Sequence, residues 1–367
     1  MKADITKILQ QNPGLKGREI AKKLGVEKRE VNSYLARNPD QFEQDNEARW
    51  FIARQFHIEF DGDTWVDSAS FERALKRVGS PLDNDCLSVR FSLPDGGSIL
   101  LDAAARLMAL ANQLTWKKKS VVLDFSTSRA MHGYLNRIGF FDHLDKDVLV
   151  IPARPKVSKA SIYKGNSPTL YELNRIDIAA PDEDIPVQLK KSFVTYAGES
   201  CSQAVFTVLA ELFGNVRDHS NSPISGLAAL QCYKNAKSPH IQTVISDSGE
   251  GIAKTLAFAL CTKYQDLARR IERQGKAADA FLIKEIFEKG GISQLDGGHG
   301  LGLKASADVA KKFNARVTIR QETFEVTLVY GDGAPVKFSY ILDMPRIYGT
   351  HICFDFLLDN VRSISLN

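Results

Sequence analysis

Four glycines fall within nine residues at Leu295–Leu303, "LDGGHGLGL", directly ahead of "KASADVAKKF", whose apolar spacing predicts a helix. Glycine adopts positive φ at little cost and lets another group approach the backbone closely. A helix start adds unpaired N–H groups and a partial positive charge. A bare backbone running into a helix N-terminus is suited to phosphate. A flexible turn would have the same composition, so the flanking sequence has to decide between them.

Two other stretches bear on that choice. "VFTVLAELFGNVRDHS" reads as a helix in which Glu211, Asn215 and His219 recur every four residues along one side, while Phe206, Leu209 and Phe213 face a core. "TVISDSGEGI" reads as an apolar strand that ends at Asp247 and opens into Ser248, Gly249, Glu250 and Gly251. A carboxylate at a strand end can accept a hydrogen bond from a base's exocyclic amine, and adjacent glycines leave room for a flat ring.

In this order, "ELFGNVRDH", "DSGEGI" and "GGHGLGL" resemble the N box and the two glycine boxes of the GHKL superfamily of ATPases and kinases, which includes gyrases, histidine kinases and anti-sigma serine kinases. The late "YGTHICFDFLL" resembles that family's Gly-Thr strand, and the likeness covers about residues 186–367. The resemblance implies a Bergerat-type α/β sandwich that binds ATP and Mg²⁺. By position, Asn215 would hold the Mg²⁺, and Asp247 would bind the adenine amino group with Thr350 helping through water. Gly249 and Gly251 would border the base. Gly298, Gly300 and Gly302, in one box with His299 and Leu301, would offer backbone N–H groups to the phosphates, with His219 and His299 adding contacts. Glu211 stands where family members keep a general base, which can deprotonate water or a partner's hydroxyl for attack on the γ-phosphate. The charged, mostly helical stretch between the glycine boxes would be the ATP lid, with Gly275, Gly290 and Gly291 as hinges.

Residues 1–56 place Ile5, Ile8 and Leu9, then Ile20 and Leu24, then Val31, Tyr34 and Leu35 at helical spacing, with Gly25 between the last two groups. The pattern predicts helix, tight turn, helix, followed by a hairpin or wing over "FEQDNEARWFIAR". It resembles winged helix-turn-helix domains, and within them Zα-type domains through "KREVNSYL" and "ARWFI". Lys28, Arg29, Asn32 and Arg37 on the second helix, and Trp50 at the wing, would then contact nucleic acid. Ala36 stands where the Zα family has a Tyr, and the wing lacks that family's paired prolines. A winged helix used for protein contacts or dimerisation is the alternative.

Residues 57–85 read as a connector. Residues 86–150 read as a small α/β module with the order strand, long helix, strand, helix. That module resembles STAS domains, with Ser126, Thr127 and Ser128 near the family's phosphoacceptor position, although the family's Asp-Ser-Ser-Gly helix start is missing. A scaffold or protein-contact module is the alternative. Residues 151–185 read as a linker. The fold class expected is thus α+β and multidomain: a winged helix, a small α/β module and a GHKL sandwich.

Composition narrows the setting. With 48 Lys and Arg against 44 Asp and Glu, the net charge of +4 does not by itself require nucleic acid. The five cysteines are far apart and form neither a CxxC clip nor a disulfide framework, which fits a reducing cytoplasm. The apolar run "ILLDAAARLMALANQL" contains Asp102 and Arg106, so no membrane span is expected. The leading expectation is an ATP-dependent regulator that slowly hydrolyses Mg-ATP and couples nucleotide state to nucleic-acid or protein binding, with a homodimer natural for the gyrase-like branch. The alternatives are an anti-sigma-like serine/threonine kinase, and a non-catalytic scaffold or nucleic-acid-binding protein that uses ATP structurally. No histidine stands in the run just before the N box, which argues against a histidine kinase.

Overall fold

The computed structural model describes residues 2–39, 41–53, 55–61, 65–289, 302–331 and 335–358. They form a mixed α+β, multidomain architecture of three packed units.

The first unit runs α1 (Lys2–Gln11), β1 (Leu15–Lys16), α2 (Gly17–Leu24), α3 (Lys28–Ala36), β2 (Phe42–Gln44) and β3 (Arg49–Ile52). Gly25 ends α2 at φ 67°, a left-handed cap that lets the chain turn sharply into α3. The strands form a sheet in the order β1-β3-β2, with β2 and β3 an antiparallel hairpin. Ile5, Leu9, Ile20, Val31, Leu35 and Trp50 close its small core.

The second unit starts earlier than its sequence suggests. Residues 57–85, read as a connector, contain most of β4 (Gln55–Glu59), then β5 (Trp65–Val66) and α4 (Ser68–Val78). They are followed by β6 (Ser88–Ser92), β7 (Ser98–Ile99), α5 (Leu101–Trp116), β8 (Ser120–Asp124), α6 (Arg129–Arg137), α7 (Phe140–His143) and β9 (Leu149–Ile151). β4, β6, β8 and β9 form one parallel sheet in that order, so β4 is its edge strand. Its polar neighbours hid the strand, but Ile58 is buried in the module's core. The Asp67 side chain accepts a hydrogen bond from the Ser70 N–H and caps α4.

After the short α8 (Lys159–Ile162), the presumed linker contains β10 (Leu170–Ile176), an edge strand of the next sheet. Leu170, Leu173 and Ile176 are buried, while the polar residues among them blur the alternation. The third unit continues with α9 (Ile185–Ala197), α10 (Ser202–His219), β11 (Gly226–Tyr233), β12 (His240–Ser246), α11 (Ile252–Thr262), α12 (Gln265–Glu272) and α13 (Ala278–Lys289). It closes with α14 (Gly302–Lys312), β13 (Arg316–Arg320), β14 (Glu325–Val329), β15 (Lys337–Ile341) and β16 (His351–Leu357). Seven antiparallel strands make a sheet in the order β10-β11-β12-β16-β13-β14-β15.

Both faces of this sheet are covered at its centre. Ala228, Leu230, Ile245, Ile352, Phe354 and Phe356 pack with residues of α9, α10 and α14. The alternate residues Leu227, Ala229, Val244 and Cys353 pack instead with Leu107, Leu110 and Leu114 of α5. A strand buried on both sides reads as a nearly continuous apolar run, as "HICFDFL" does. α5 lies between the two sheets and is buried almost all round, which explains its apolar sequence without a membrane. Among the described residues, no helix is long and apolar enough to cross one.

Charge also crosses this interface. Arg106 of α5 is 2% exposed and ion-pairs with Glu72 of α4 at 2.7 Å and Glu325 of β14 at 2.7 Å. Arg320 of β13, fully buried, reaches the same Glu72 at 2.9 Å. Burial opposes the charge of Arg106, yet Glu325, Glu72 and Asp102 outweigh it and raise its pKa. Removing one member of a buried network leaves its partners desolvated and unpaired, at a cost of about 3 kcal/mol or more. Glu72→Ala is expected to lower the unfolding free energy by that amount, seen as a lower urea midpoint by far-UV circular dichroism; an unchanged midpoint would show that the network adds no stability.

Candidate functional site

α10 forms because "AVFTVLAELFGNV" repeats apolar residues on one stripe, and Val205, Val208, Leu209, Leu212, Phe213 and Val216 are buried against the sheet. Phe206, expected in the core, is half-buried, with the Lys190 ammonium 5.7 Å from its ring centre. Glu211 is exposed and Asn215, one turn on, is half-buried. His219 is the last residue of α10, and its side chain lies outside the described residues.

Asp247 follows β12 directly. Its N–H donates to the Thr350 carbonyl at 2.9 Å, and its Oδ1 accepts the Gly249 N–H at 2.7 Å. Burial pushes its carboxyl up to about 6, against the pull of the Gly249 and Thr350 backbone groups and the Thr350 hydroxyl. Burial pushes Asp355 of β16 up to about 6 as well, so it is the place of Asp247 between Gly249 and Thr350, and not the shift alone, that makes it the candidate.

Backbone segments approach closely here. A Cβ on Gly249 would stand 1.8 Å from the Ser220 carbonyl oxygen, and one on Gly349 would stand 2.1 Å from the Asp247 carbonyl oxygen. Gly249 is therefore required by the end of α10, a packing role beyond the space for a flat ring that the sequence suggests. Gly251, at φ 80°, caps α11, whose Ile252 N–H donates to Gln321 Oε1 at 2.8 Å.

The structure thus brings Asp247, Gly249, Gly251 and Thr350 together and places the end of α10 against Gly249. Gly302 is the first residue of α14; Gly298, His299, Gly300 and Leu301 lie outside the described residues, as do Gly290 and Gly291 of the expected lid. The described residues of the stretch expected to form that lid hold most of α11, then α12 and α13, with Gly275 at φ 57° between the last two. Among the described residues, no cluster of His, Cys, Asp and Glu is placed to hold a metal, so Asn215 carries that expectation.

At the other end of the chain, Lys28, Arg29 and Arg37 are exposed. Asn32 is not offered to solvent in the same way: its Oδ1 is buried and occupies the space where a Cβ on Gly17 would lie. Trp50 is 7% exposed and belongs to the core. A tryptophan on a three-stranded sheet closes a small core more readily than it stands in solvent, and that overrides its expected surface role. In the middle unit Ser126 bonds to Asp124, Thr127 to the Leu93 carbonyl and Ser128 to the Pro94 carbonyl. All five cysteines are free.

Sequence reasoning missed Gln113, Ser248 and Gln321, which hold the loops around Asp247. The signal available for Gln113 was a lone amide inside the apolar run "LMALANQL".

Comparison with protein-family models, with curated proteins and with solved structures gives no match.

The Asp247 carboxyl sets a pH prediction. Its folded pKa of about 6 lies above the ordinary 3.8, so the folded state favours the protonated form. The penalty of ionisation grows as pH climbs between those values and is complete above them, on the order of 3 kcal/mol. Asp247→Asn is expected to raise the melting midpoint at about pH 8 and to leave it nearly unchanged at about pH 4. An equal shift at both would mean that the charge is not the cause.

Proposed function

We propose that residues 186–367 form a GHKL ATP-binding domain and that the chain is an ATP-dependent regulator, in which nucleotide state governs what the N-terminal winged helix or the middle module contacts. The observation that carries this reading is Asp247: a buried carboxylate at a strand end, fixed by Gly249 and Thr350, in the order of boxes that resembles that superfamily. In this reading the Asp247 carboxylate accepts the adenine amino group, with the Thr350 hydroxyl beside it, and Gly251 borders the base. Gly298, Gly300 and Gly302 offer N–H groups to the phosphates, with His219 and His299 alongside. Asn215 supplies a hard oxygen for Mg²⁺, which when bound neutralises charge on the phosphates. Glu211, one turn before Asn215 on α10, takes the proton of the attacking water.

The exposure of Glu211 also favours a second reading, in which it receives a partner's hydroxyl instead of water and the domain acts as a serine/threonine kinase. Phosphate release from Mg-ATP separates the two. Wild-type protein is expected to release phosphate slowly, and Glu211→Ala to bind ATP but lose about a hundredfold or more in rate. Label moving from the γ-phosphate to an added protein, without release, would favour the kinase. Absence of Mg-ATP binding at millimolar concentration would remove both readings.

For the first unit, the order helix, strand, helix, helix, hairpin supports a winged helix, and Lys28, Arg29 and Arg37 supply exposed charge on or beside α3. Nucleic-acid binding through phosphate contacts should weaken steeply with salt. Lys28→Ala with Arg29→Ala is expected to weaken binding to mixed duplexes and to flatten its salt dependence in a fluorescence-anisotropy titration. No affinity at low salt would assign this unit to protein contacts or dimerisation instead.

A further inference from the structure

Gln113 is fully buried in α5, three residues before the end of that helix, and belongs to the α/β module. Its amide is spent entirely on the third unit. The Nε2 group donates to Ser248 Oγ at 2.8 Å and to the Tyr348 carbonyl at 2.9 Å, and Oε1 accepts the Tyr348 N–H at 2.9 Å. Ser248 follows Asp247 directly; Tyr348 precedes Gly349 and Thr350, which close on Asp247 from the other side. One side chain therefore spans both backbone segments that fix the carboxylate. Beside it, the Lys117 ammonium lies 5.3 Å from the Tyr348 ring centre and 4.8 Å from that of Trp116, adding a second link from the end of α5 to the same loop.

A buried amide with donors and acceptor all used is a rigid spacer, because each bond it loses leaves a desolvated polar group behind. The hydrogen bonds of the Gln113 side chain end at the walls of the Asp247 site. We propose that Gln113 is a positioning residue through which the docked α/β module sets the spacing of the two segments around Asp247, so that base recognition depends on that module. The proposal rests on the nucleotide reading of the Asp247 site. Its consequence is selectivity: a carboxylate held at a fixed place discriminates between a base with an exocyclic amine and one without, and a loosened carboxylate does so less well.

The test uses the full chain and two nucleotides, ATP and ITP, the latter with a carbonyl in place of the amine. Dissociation constants are measured well below the melting midpoint for wild type, Gln113→Met and Ser248→Ala. Gln113→Met, which keeps the length and loses the hydrogen bonds, is expected to weaken ATP about tenfold and ITP far less, so that the preference for ATP shrinks. Ser248→Ala, which removes a single bond, is expected to shrink it about threefold and serves if Gln113→Met does not fold. A wild-type preference that both variants retain, with only a lower melting midpoint, would overturn the inference and leave Gln113 a structural residue. Wild-type protein that binds neither nucleotide would instead overturn the nucleotide reading, and this inference with it.

Discussion

Glu72 holds two buried arginines that come from different units of the chain. Arg106 rises from α5, Arg320 from the centre of the seven-stranded sheet, and both guanidinium groups converge on one carboxylate between them. Apolar packing alone would let α5 slide or rotate on the sheet, since leucine and alanine side chains fill similar spaces in neighbouring registers. Charges that must meet at fixed points allow one register. The same Arg320 also donates to the Gln321 and Pro345 carbonyls, and so fixes the start of the loop that returns as Tyr348, Gly349 and Thr350. His351 follows in the same place; burial, with Arg106 and Arg320 close by, lowers its pKa to about 3, and its neutral ring bonds Ser246 at the end of β12. The charged network and the Asp247 site are in this sense one continuous piece of structure.

Asp247 stays at the site against a desolvation cost, and its neighbours show how the chain tolerates it. The carboxylate is met by short backbone and hydroxyl donors rather than by a cation, a neutral surround that leaves it available as an acceptor. To bring those donors in, the backbones at Gly249 and Gly349 approach to distances that any side chain would forbid. Glycine here serves contact between protein segments first, and the shape of the site follows from that contact.

Much of this was legible in the sequence where chemistry depends on local spacing. The helix carrying Glu211 and Asn215, the strand leading into Asp247 and the two helices either side of Gly25 all stand where periodicity put them. Less legible were the elements whose burial depends on distant partners. β4 and β10 looked like connecting chain because their polar residues face other elements: Glu172 in β10 is buried by its ion pair with Arg137, and His57 in β4 bonds Ser92 of β6. Trp50 misled for the converse reason, since its place in a small core is set by α1, α2 and α3 together. Gln113 was legible only as an oddity, because nothing local says that its partners lie 135 and 235 residues away.

The position of β16 has a consequence for how the chain is made. It is the last described strand, yet it sits in the middle of the seven-stranded sheet, between β12 and β13. At ribosomal rates of about 5–20 residues per second, α5 leaves the exit tunnel roughly ten to fifty seconds before the strand that completes the surface it packs on. Through that interval an almost wholly apolar helix has half a partner. The nascent chain therefore has only its own parallel sheet to shelter α5 until β16 has emerged.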